Sequence, residues 1–430
     1  MNQLAAVSRI VPNEAELKAV AEAFDLAGGI RSIAPLGNGN VNDTFLVEAG
    51  EQRYVLQRLN TQVFRQPELV MRNLQVLDHH VQQRLQAVHD PAAPLLAGRR
   101  WELPRVVCTR DGARSWHCCQ SGGFWRTLTF VDDARSVEVI EHRRQARELG
   151  WGLGLFHHLI SDLPVEQLAD TLEGFHITPR YLEAYHRELV RTEQPRSPLA
   201  EECVAFIRDR EAFADVLEQA KVRGELPLRP IHGDPKINNM LLDSGSGEAI
   251  ALIDLDTVKP GLVHYDIGDC LRSCCNPLGE ETTDFQAVRF DLDLAAAILE
   301  GYLAVAGRFL TPAELRYIPE AARLISFELG LRFFFQTRIQ RMFRHTLVGG
   351  GVRRLARGAK NGRAHVRAMP VGVDAVPARE VLREHHAPGQ RRMPRVDARV
   401  DERHTNTRAR QLRQRTRARP HLIGANGVGH

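Results

Sequence analysis

The segment Ile231–Pro260 contains two short apolar runs, and acidic residues follow each of them. The runs are Met240–Leu242 and Ile250–Ile253, and the second is followed by Asp254 and Asp256. Short apolar runs bounded by turn-forming residues predict buried strands. The segment therefore predicts two strands joined by a turn, with carboxylates placed where the strands end.

A polar loop precedes these strands and carries His232, Asp234 and Asn239. Phosphoryl transfer from a nucleotide needs a carboxylate that accepts the hydroxyl proton, and an Asn and an Asp that hold magnesium. Asp234 and Asn239 have the spacing of the kinase motif H-R-D-x-x-x-x-N. We therefore predict Asp234 as the base and Asn239 and Asp254 as Mg2+ ligands, with Asp256 as a helper. The joint spacing argues against a solvated turn with chance acids.

The sequence of this segment resembles that of aminoglycoside phosphotransferase-like kinases, which are relatives of protein kinases that phosphorylate small molecules. H-G-D-P-K-I-N-N-M-L-L-D and I-D-L-D-T-V-K-P-G-L-V-H-Y-D-I-G-D look most like the N-acetylhexosamine 1-kinase branch, as do G-N-G-N-V-N-D-T-F, Y-V-L-Q-R-L-N and E-L-G-L-R-F-F. The resemblance extends from about Gly29 to Phe334. One phrase departs from it, because Ile177 stands where the branch has Asp in F-H-D-T-P.

The resemblance implies an α+β, two-lobed protein kinase-like fold. A small antiparallel-sheet N-lobe would cover ATP, and a larger, mainly helical C-lobe would carry the chemistry. The implied acceptor is the anomeric C1 hydroxyl of an N-acetylhexosamine, and the implied cofactors are ATP and Mg2+. Lys236, two residues after the predicted base, is placed to contact the transferred phosphate. His232 is expected to hold the loop by hydrogen bonds.

A glycine loop between two predicted strands, Ile30–Leu36 and Thr44–Glu48, indicates where the nucleotide binds. Glycine lets backbone N–H groups approach phosphates closely. By itself the pattern is that of a plain hairpin, but upstream of H-G-D-x-x-x-x-N it predicts a nucleotide lid. The predicted lid residues are Gly37, Asn38, Gly39 and Asn40.

The next strand, Arg53–Leu59, has no lysine where kinases have one that binds the phosphates. Arg58 is the first candidate for this role and Gln57 the second. Neighbouring strand residues point to opposite faces, so only one of them can face the nucleotide. A solvent-facing strand charge is the alternative for Arg58.

Three regions are expected along the chain. Residues 1–131 form the nucleotide-covering lobe, residues 132–345 form the hinge and the helical catalytic lobe, and residues 346–430 form an Arg-rich, disordered tail. Within the first lobe, Leu103–Thr109 and Arg114–Cys118 are expected to form a hairpin, because Asp-Gly is a strong turn signal.

The tail dominates the charge balance. Residues 351–430 contain eighteen Arg, one Lys and six acids, a charge of +13, which leaves −9 for the remaining chain. The tail lacks Phe, Trp and Tyr, so it cannot bury enough surface to offset ordering entropy. A basic arm that binds nucleic acid non-specifically is one account. An out-of-frame reading of a GC-rich gene is the other, and the composition favours it.

Alternatives remain open for the function. The same fold could phosphorylate an aminoglycoside, an amino alcohol or another sugar, and a non-catalytic nucleotide-binding protein with a basic tail is a further alternative. The N-terminal residues show no basic cluster followed by an apolar run, and no apolar stretch reaches membrane-spanning length. We therefore expect a cytoplasmic protein without a membrane partner.

Overall fold

The structure is a computed structural model. It describes residues 12–37, 41–87, 93–96, 98–191, 198–280, 282, 284 and 287–344. The predicted tail and three of the predicted lid residues, Asn38, Gly39 and Asn40, lie outside these ranges. Within them, no helix combines the length and the apolar character needed to cross a membrane.

The first lobe is an antiparallel sheet covered on one face by a short helix. Its strands are β1 (Ile30–Pro35), β2 (Asp43–Ala49), β3 (Gln52–Leu59), β4 (Val106–Val107), β5 (His117–Cys118) and β6 (Phe124–Thr129). The strand order is β1-β2-β3-β6-β4, and β5 also pairs with β6. The helix α1 (Glu14–Glu22) begins at Asn13, whose side chain accepts a hydrogen bond from the Glu16 N–H at 2.8 Å.

The expected hairpin between β4 and β5 is wrong in its pairing. The turn at Asp111-Gly112 forms, but Val106 pairs with Leu128 and His117 with Trp125, so both strands lie against β6. Turn residues identify where the chain reverses, whereas the pairing is decided by which strand has a free edge.

Alternation along the sheet separates two environments. Tyr54, Leu56 and Trp125 point toward α1 and form a small core with Val20 and Phe45. The residues that alternate with them along the same strands point to the opposite face, toward the second lobe.

The second lobe is mainly helical, and one large core runs through it. Its helices are α2 (Pro67–Gln86), α3 (Ala93–Leu96), α4 (Arg143–Ile160), α5 (Thr178–Arg191), α6 (Pro198–Arg208), α7 (Val216–Val222), α8 (Val263–Cys274), α9 (Leu292–Ala306), α10 (Pro312–Arg316) and α11 (Ile318–Arg344). Although α2 precedes β6 in the chain, it packs into this large core through Val70, Leu74 and Leu77.

Helices α4 and α9 cross in close contact because glycines stand at the crossing. A Cβ at Gly150 would lie 1.9 Å from the Ile298 carbonyl oxygen, and one at Gly301 would lie 2.0 Å from the Arg147 carbonyl oxygen. Any side chain at either position would push the two backbones apart. The crossing therefore sets where α4 holds His157, which binds the Asp266 carboxylate that supports the loop described below.

Two small sheets position the segment Ile231–Pro260, which carries the predicted site residues. Strand β8 (Arg229–Ile231) pairs with β11 (Lys259–Gly261), and β9 (Met240–Asp243) pairs with β10 (Ala249–Leu252) and with β7 (Ala134–Arg135). The two strands predicted from the sequence are confirmed. Residues 232–239 and 253–258 are the connections between these sheets, and they lie side by side.

We expect a buried histidine to make the fold acid-sensitive. His264 on α8 donates from Nε2 to the Glu314 carbonyl oxygen at 2.8 Å, and its Nδ1 has no partner among the described residues. Burial lowers its pKa from 6.5 to about 4. The unfolded chain takes up this proton at a higher pH than the folded protein, so stability falls as the pH drops from 6.5 toward 4, by about 3 kcal/mol.

This loss can be measured by urea unfolding between pH 7 and pH 4. The variant His264→Gln removes the titrating group, so its unfolding free energy should fall less over the same interval. Equal pH dependence in the two proteins would contradict the assignment.

Candidate active site

The loop after β8, residues 232–239, is held in place by one buried carboxylate of α8. Asp266, in the first turn of α8, accepts hydrogen bonds from the N–H groups of His232 at 2.6 Å and Gly233 at 2.8 Å. His157 of α4 donates from Nε2 to the same carboxylate at 2.8 Å. Burial alone raises the pKa of Asp266, but these donors outweigh it and lower the pKa overall, so the group stays ionised.

His232 joins this loop to the following connection. Its Nδ1 accepts from the Asp234 N–H at 3.1 Å and its Nε2 donates to the Ile253 carbonyl at 3.0 Å, which fixes the tautomer. The Ile253 N–H in turn donates to the Asn239 carbonyl at 2.8 Å. These backbone links place Asn239 beside Ile253 and therefore next to Asp254.

Asp234 and Lys236 form a charge pair at the mouth of the site. Lys236 Nζ lies 2.8 Å from Asp234 Oδ2, and the two side chains are 27% and 29% exposed. Burial raises the pKa of Asp234, and the Lys236 charge opposes that shift without cancelling it. Burial lowers the pKa of Lys236, but the carboxylates of Asp234 and Asp254 outweigh it, so the ammonium stays charged. Asn239 Nδ2 donates to the Asp234 carbonyl at 2.7 Å, which directs its amide oxygen away from the loop.

Asp254 has the features of a cation ligand. Its backbone is left-handed, with φ 64° and ψ 53°, a conformation that Asp tolerates better than most residues. Its side chain reaches solvent, and within the described residues no donor hydrogen-bonds to its carboxylate. Burial raises the pKa of Asp254, and the neighbouring Asp256 carboxylate raises it further. A bound cation would favour the ionised form and so oppose both effects.

Asn239 and Asp254 together fit Mg2+. Among the described residues there is no cluster of three or more His, Cys, Asp or Glu that could hold a metal. Mg2+ does not require one, because it is usually bound through one or two protein oxygens together with substrate phosphates and water. One amide oxygen and one unpartnered carboxylate match that requirement.

Asp256 is bound by residues of the sheet lobe, which bears on its expected role at the metal. It is buried, it forms an ion pair with Arg126 of β6, and it accepts from Asn42 Nδ2 at 2.7 Å. Both of its carboxylate oxygens therefore already face protein donors. This pairing favours a structural link between the two lobes, and the expected role of Asp256 as a helper at the metal stays a prediction.

The geometry of β3 reverses the preference between Arg58 and Gln57. Gln57 pairs with Arg126 across the sheet, and its Oε1 accepts from Arg126 Nη2 at 2.7 Å. Arg58 lies on the opposite face, where it binds Asp43 at 2.6 Å and its guanidinium lies 5.7 Å from the Trp125 ring centroid. Gln57 therefore faces the second lobe, whereas strand alternation turns Arg58, the first candidate, toward α1. The phosphate-binding role stays a prediction, and the geometry favours Gln57 for it.

Of the predicted lid, only Gly37 is described, with φ 66°. The loop connects β1 and β2, which are antiparallel neighbours, as predicted. The end of the loop nearest β2 is fixed by Asn42, which donates to Asp256 and accepts a hydrogen bond from the Asn60 N–H at 3.0 Å. The base of the lid is thus linked to the connection that carries Asp254.

A second buried ion pair holds the loop from another side. His176 Nε2 donates to the Gly233 carbonyl at 2.6 Å, and its Nδ1 faces Glu328 at 3.1 Å. Both partners are acceptors, so both ring nitrogens must carry hydrogen. Burial lowers the pKa of His176, but Glu328 outweighs it and raises the pKa overall.

Sequence reasoning missed Arg126, Asn42 and the His176–Glu328 pair. A signal existed for Arg126, because a charged residue in the apolar run F-W-R-T-L-T-F requires a buried partner. The others gave no comparable signal, because the partners are separated by 152 and 214 residues in the chain.

We expect Arg126→Met to lower the free energy of unfolding by about 3–5 kcal/mol, because it leaves the buried Asp256 carboxylate without its ionic partner and with the neutral Asn42 amide as the remaining donor among the described residues. The matched control is Arg53→Met, which breaks an exposed pair with Asp132 and should cost about 1 kcal/mol or less. Urea unfolding measures both. A loss for Arg126→Met no larger than that of the control would show that the buried pair is not required.

The chain has an antiparallel-sheet lobe and a helical lobe, and the loop with Asp234, Lys236 and Asn239 lies next to Asp254. These features define the class of protein as the kinase-like phosphotransferases. The family model described as the phosphotransferase enzyme family matches residues 32–313. The match covers more than half of the chain, and the chain belongs to this family. It is a phosphotransferase that acts on an alcohol group.

Three solved structures are similar to this chain. A microcompartment-associated aminopropanol kinase is 18% identical, with a TM-score of 0.50 over 86% of this chain and 98% of that chain. An ethanolamine kinase from Plasmodium vivax is 15% identical over 84% and 91%, with a TM-score of 0.48. The GDP complex of aminoglycoside 2'-phosphotransferase-IIIa is 15% identical over 78% and 93%, with a TM-score of 0.46. At these identities the likeness is one of fold, and the first structure supports the two-lobed architecture.

Proposed function

We propose that the protein transfers the γ-phosphoryl group of ATP, with Mg2+, to the anomeric C1 hydroxyl of an N-acetylhexosamine. Family membership supports the reaction type. The sugar rests on the branch-like phrases, which include the two around Asp234 and Asp254, and on G-N-G-N-V-N-D-T-F. The chain departs from the branch pattern at Ile177, where the branch has Asp.

The observation that carries the proposal is the rigid placement of Asp234. His232 accepts from its backbone N–H, Asp266 holds the two preceding residues, and the Asp234 carboxylate remains partly open to solvent. In this position Asp234 accepts the proton of the attacking hydroxyl. Lys236 lies close enough to the base to bind an oxygen of the phosphoryl group in transfer. Catalysis then consists mainly of positioning and charge neutralisation.

Asn239 and Asp254 would hold Mg2+, which when bound supplies charge neutralisation at the nucleotide phosphates. Gly37 and the loop after it would cover those phosphates. Gln57 and Arg126 line the sheet face above them. We assign residues 1–131 to this nucleotide-covering lobe, except for α2 and α3, which pack against the core of the second lobe. Residues 132–345 are assigned to the hinge and the helical catalytic lobe. The cytoplasmic location and any contact of the tail with nucleic acid stay predictions.

An acceptor screen tests the proposal. ADP release from Mg·ATP is measured with N-acetylglucosamine, N-acetylgalactosamine, ethanolamine, aminopropanol and an aminoglycoside, with Asp234→Asn as the blank. The proposal requires the highest kcat/KM on an N-acetylhexosamine and phosphate on C1 of the product, read by 31P NMR. Activity on the aminoglycoside or the amino alcohols, with none on the hexosamines, would overturn the sugar assignment and leave the family.

A further inference from the structure

One face of α8 is turned toward the catalytic loop through three polar side chains. Asp266, Asp269 and Ser273 are spaced at i, i+3 and i+7, so they lie on the same side of the helix. Asp266 binds the backbone N–H groups of His232 and Gly233, and Ser273 Oγ accepts from the Ile237 N–H at 3.0 Å. The two ends of this face are therefore fully used in holding the loop.

The middle residue of this face is different. Asp269 is buried, with a side chain only 7% exposed, and its Oδ1 accepts from Arg272 Nε at 2.8 Å. Its Oδ2 is also buried, and within the described residues it has no hydrogen-bond partner. A buried carboxylate oxygen without a donor is costly, so such groups usually have a partner that the protein alone does not show.

Asp269 lies on α8 between the two residues that hold the loop carrying the base. Along α8 it falls between Asp266, which contacts residues 232 and 233, and Ser273, which contacts Ile237. Its negative charge acts on Asp234 and on His176 and raises the pKa of both, after the larger effects of burial and of their direct partners. The charges that act on Asp254 are those of Asp256, Lys236 and Arg126.

We propose that Asp269 Oδ2 binds the acceptor, by taking a hydrogen bond from a hydroxyl or N–H group other than the hydroxyl that is phosphorylated. This inference rests on the proposed function, since it takes Asp234 as the base. It defines the substrate class as polyfunctional alcohols with a second donor near the reacting oxygen. A simple monohydroxyl alcohol would leave Oδ2 buried and unpaired, and the site would reject it for that reason.

Arg272 explains how the carboxylate is aimed. It binds Asp269 through Nε and Glu280 through Nη1 at 2.6 Å, so its guanidinium is fixed from both sides. A fixed guanidinium on Oδ1 holds Asp269 in one orientation and leaves Oδ2 without a donor among the described residues. The arrangement is that of a preorganised acceptor group, whose donor must come from outside the described protein groups.

The test compares acceptor analogues in the wild-type chain and in Asp269→Asn. The probes are N-acetylglucosamine, its 3-, 4- and 6-deoxy analogues, and 2-deoxyglucose, with kcat and KM measured for acceptor and for ATP. In the wild type we expect one analogue to lose about 10- to 150-fold in kcat/KM, the worth of one hydrogen bond to a charged group. In Asp269→Asn that analogue should lie within about threefold of the parent sugar, with the KM for ATP unchanged.

Ser273→Ala is the matched control from the same helix face. It removes a loop contact without touching Asp269, so it should lower turnover while keeping the wild-type preference among the analogues. If Asp269→Asn does the same, with its preference intact, Asp269 only supports the loop and the inference is wrong. Should the Asn variant not fold, Asp269→Glu keeps the charge, moves the oxygen by one carbon and should lose the same preference.

The outcomes separate the inference from the proposed function. If only amino alcohols are phosphorylated, the sugar assignment fails, and ethanolamine is compared with ethanol: loss of that preference in Asp269→Asn supports the inference. Sugar turnover with an unaltered preference overturns the inference alone. Absence of acceptor-dependent ADP release with every probe overturns both.

Discussion

Asp234→Asn is expected to lower turnover by about 10²–10⁴-fold while leaving nucleotide affinity nearly unchanged, which is the usual effect of removing a positioned base. Asparagine keeps the shape of the side chain and one oxygen that can accept from Lys236 Nζ, which lies 2.8 Å from the carboxylate in the structure. The supports of the loop from Asp266 and His232 go to backbone atoms, so they remain. The loss should therefore appear in kcat and not in the melting temperature.

Asp243→Asn is the matched control for this variant. Asp243 ends β9 and accepts from the N–H groups of Gly245 and Ser246 in the following turn, away from the loop that carries Asp234. Its turnover should stay within about twofold of the wild type, as for a surface substitution. Survival of the Asp234→Asn activity within a few-fold would mean that another group accepts the proton.

Asp254→Ala should nearly abolish phosphoryl transfer and weaken ATP binding when Mg2+ is present. The carboxylate has no protein donor in the described residues, so its removal leaves no unpaired partner in the protein and acts chiefly on the cation. Isothermal titration with ATP, with and without Mg2+, measures the effect. The difference between the two affinities in the wild type should disappear in the variant.

A second substitution separates charge from backbone strain at this position. Alanine at φ 64° pays a conformational cost of about 1–2 kcal/mol, whereas asparagine tolerates the left-handed region. Asp254→Asn should therefore unfold at a higher temperature than Asp254→Ala and still be severely impaired in turnover. Magnesium-dependent activity retained at ordinary metal concentration would move the metal site, with Asp256 the next carboxylate along the chain.

The part of the site that could be predicted lies within a single short stretch of chain. Asp234, Asn239 and Asp254 are brought together by two adjacent connections, and the strands between them follow from their apolar runs. Local patterns of this kind specify local geometry. The two-lobed kinase-like fold was predicted as well, through a resemblance of motifs rather than through periodicity.

The parts that were missed depend on contacts between distant segments. The position of Gln57 rather than Arg58 on the inner face follows from the β3–β6 register, which no local pattern fixes. The role of Asp256 depends on Arg126, which lies on another strand and in the other lobe. A spacing motif within one segment therefore contains no information about this contact with a distant strand.

The Asp256 link also bears on how fast nucleotide can leave. Arg126 and Asn42 belong to the sheet lobe, and both bind a carboxylate of the helical lobe. A rotation that opens the cleft must separate a buried ion pair before water can solvate either charge, so it has a steep energy barrier. We expect this cost to slow the opening of the cleft and to make the rate of nucleotide release rise steeply with temperature.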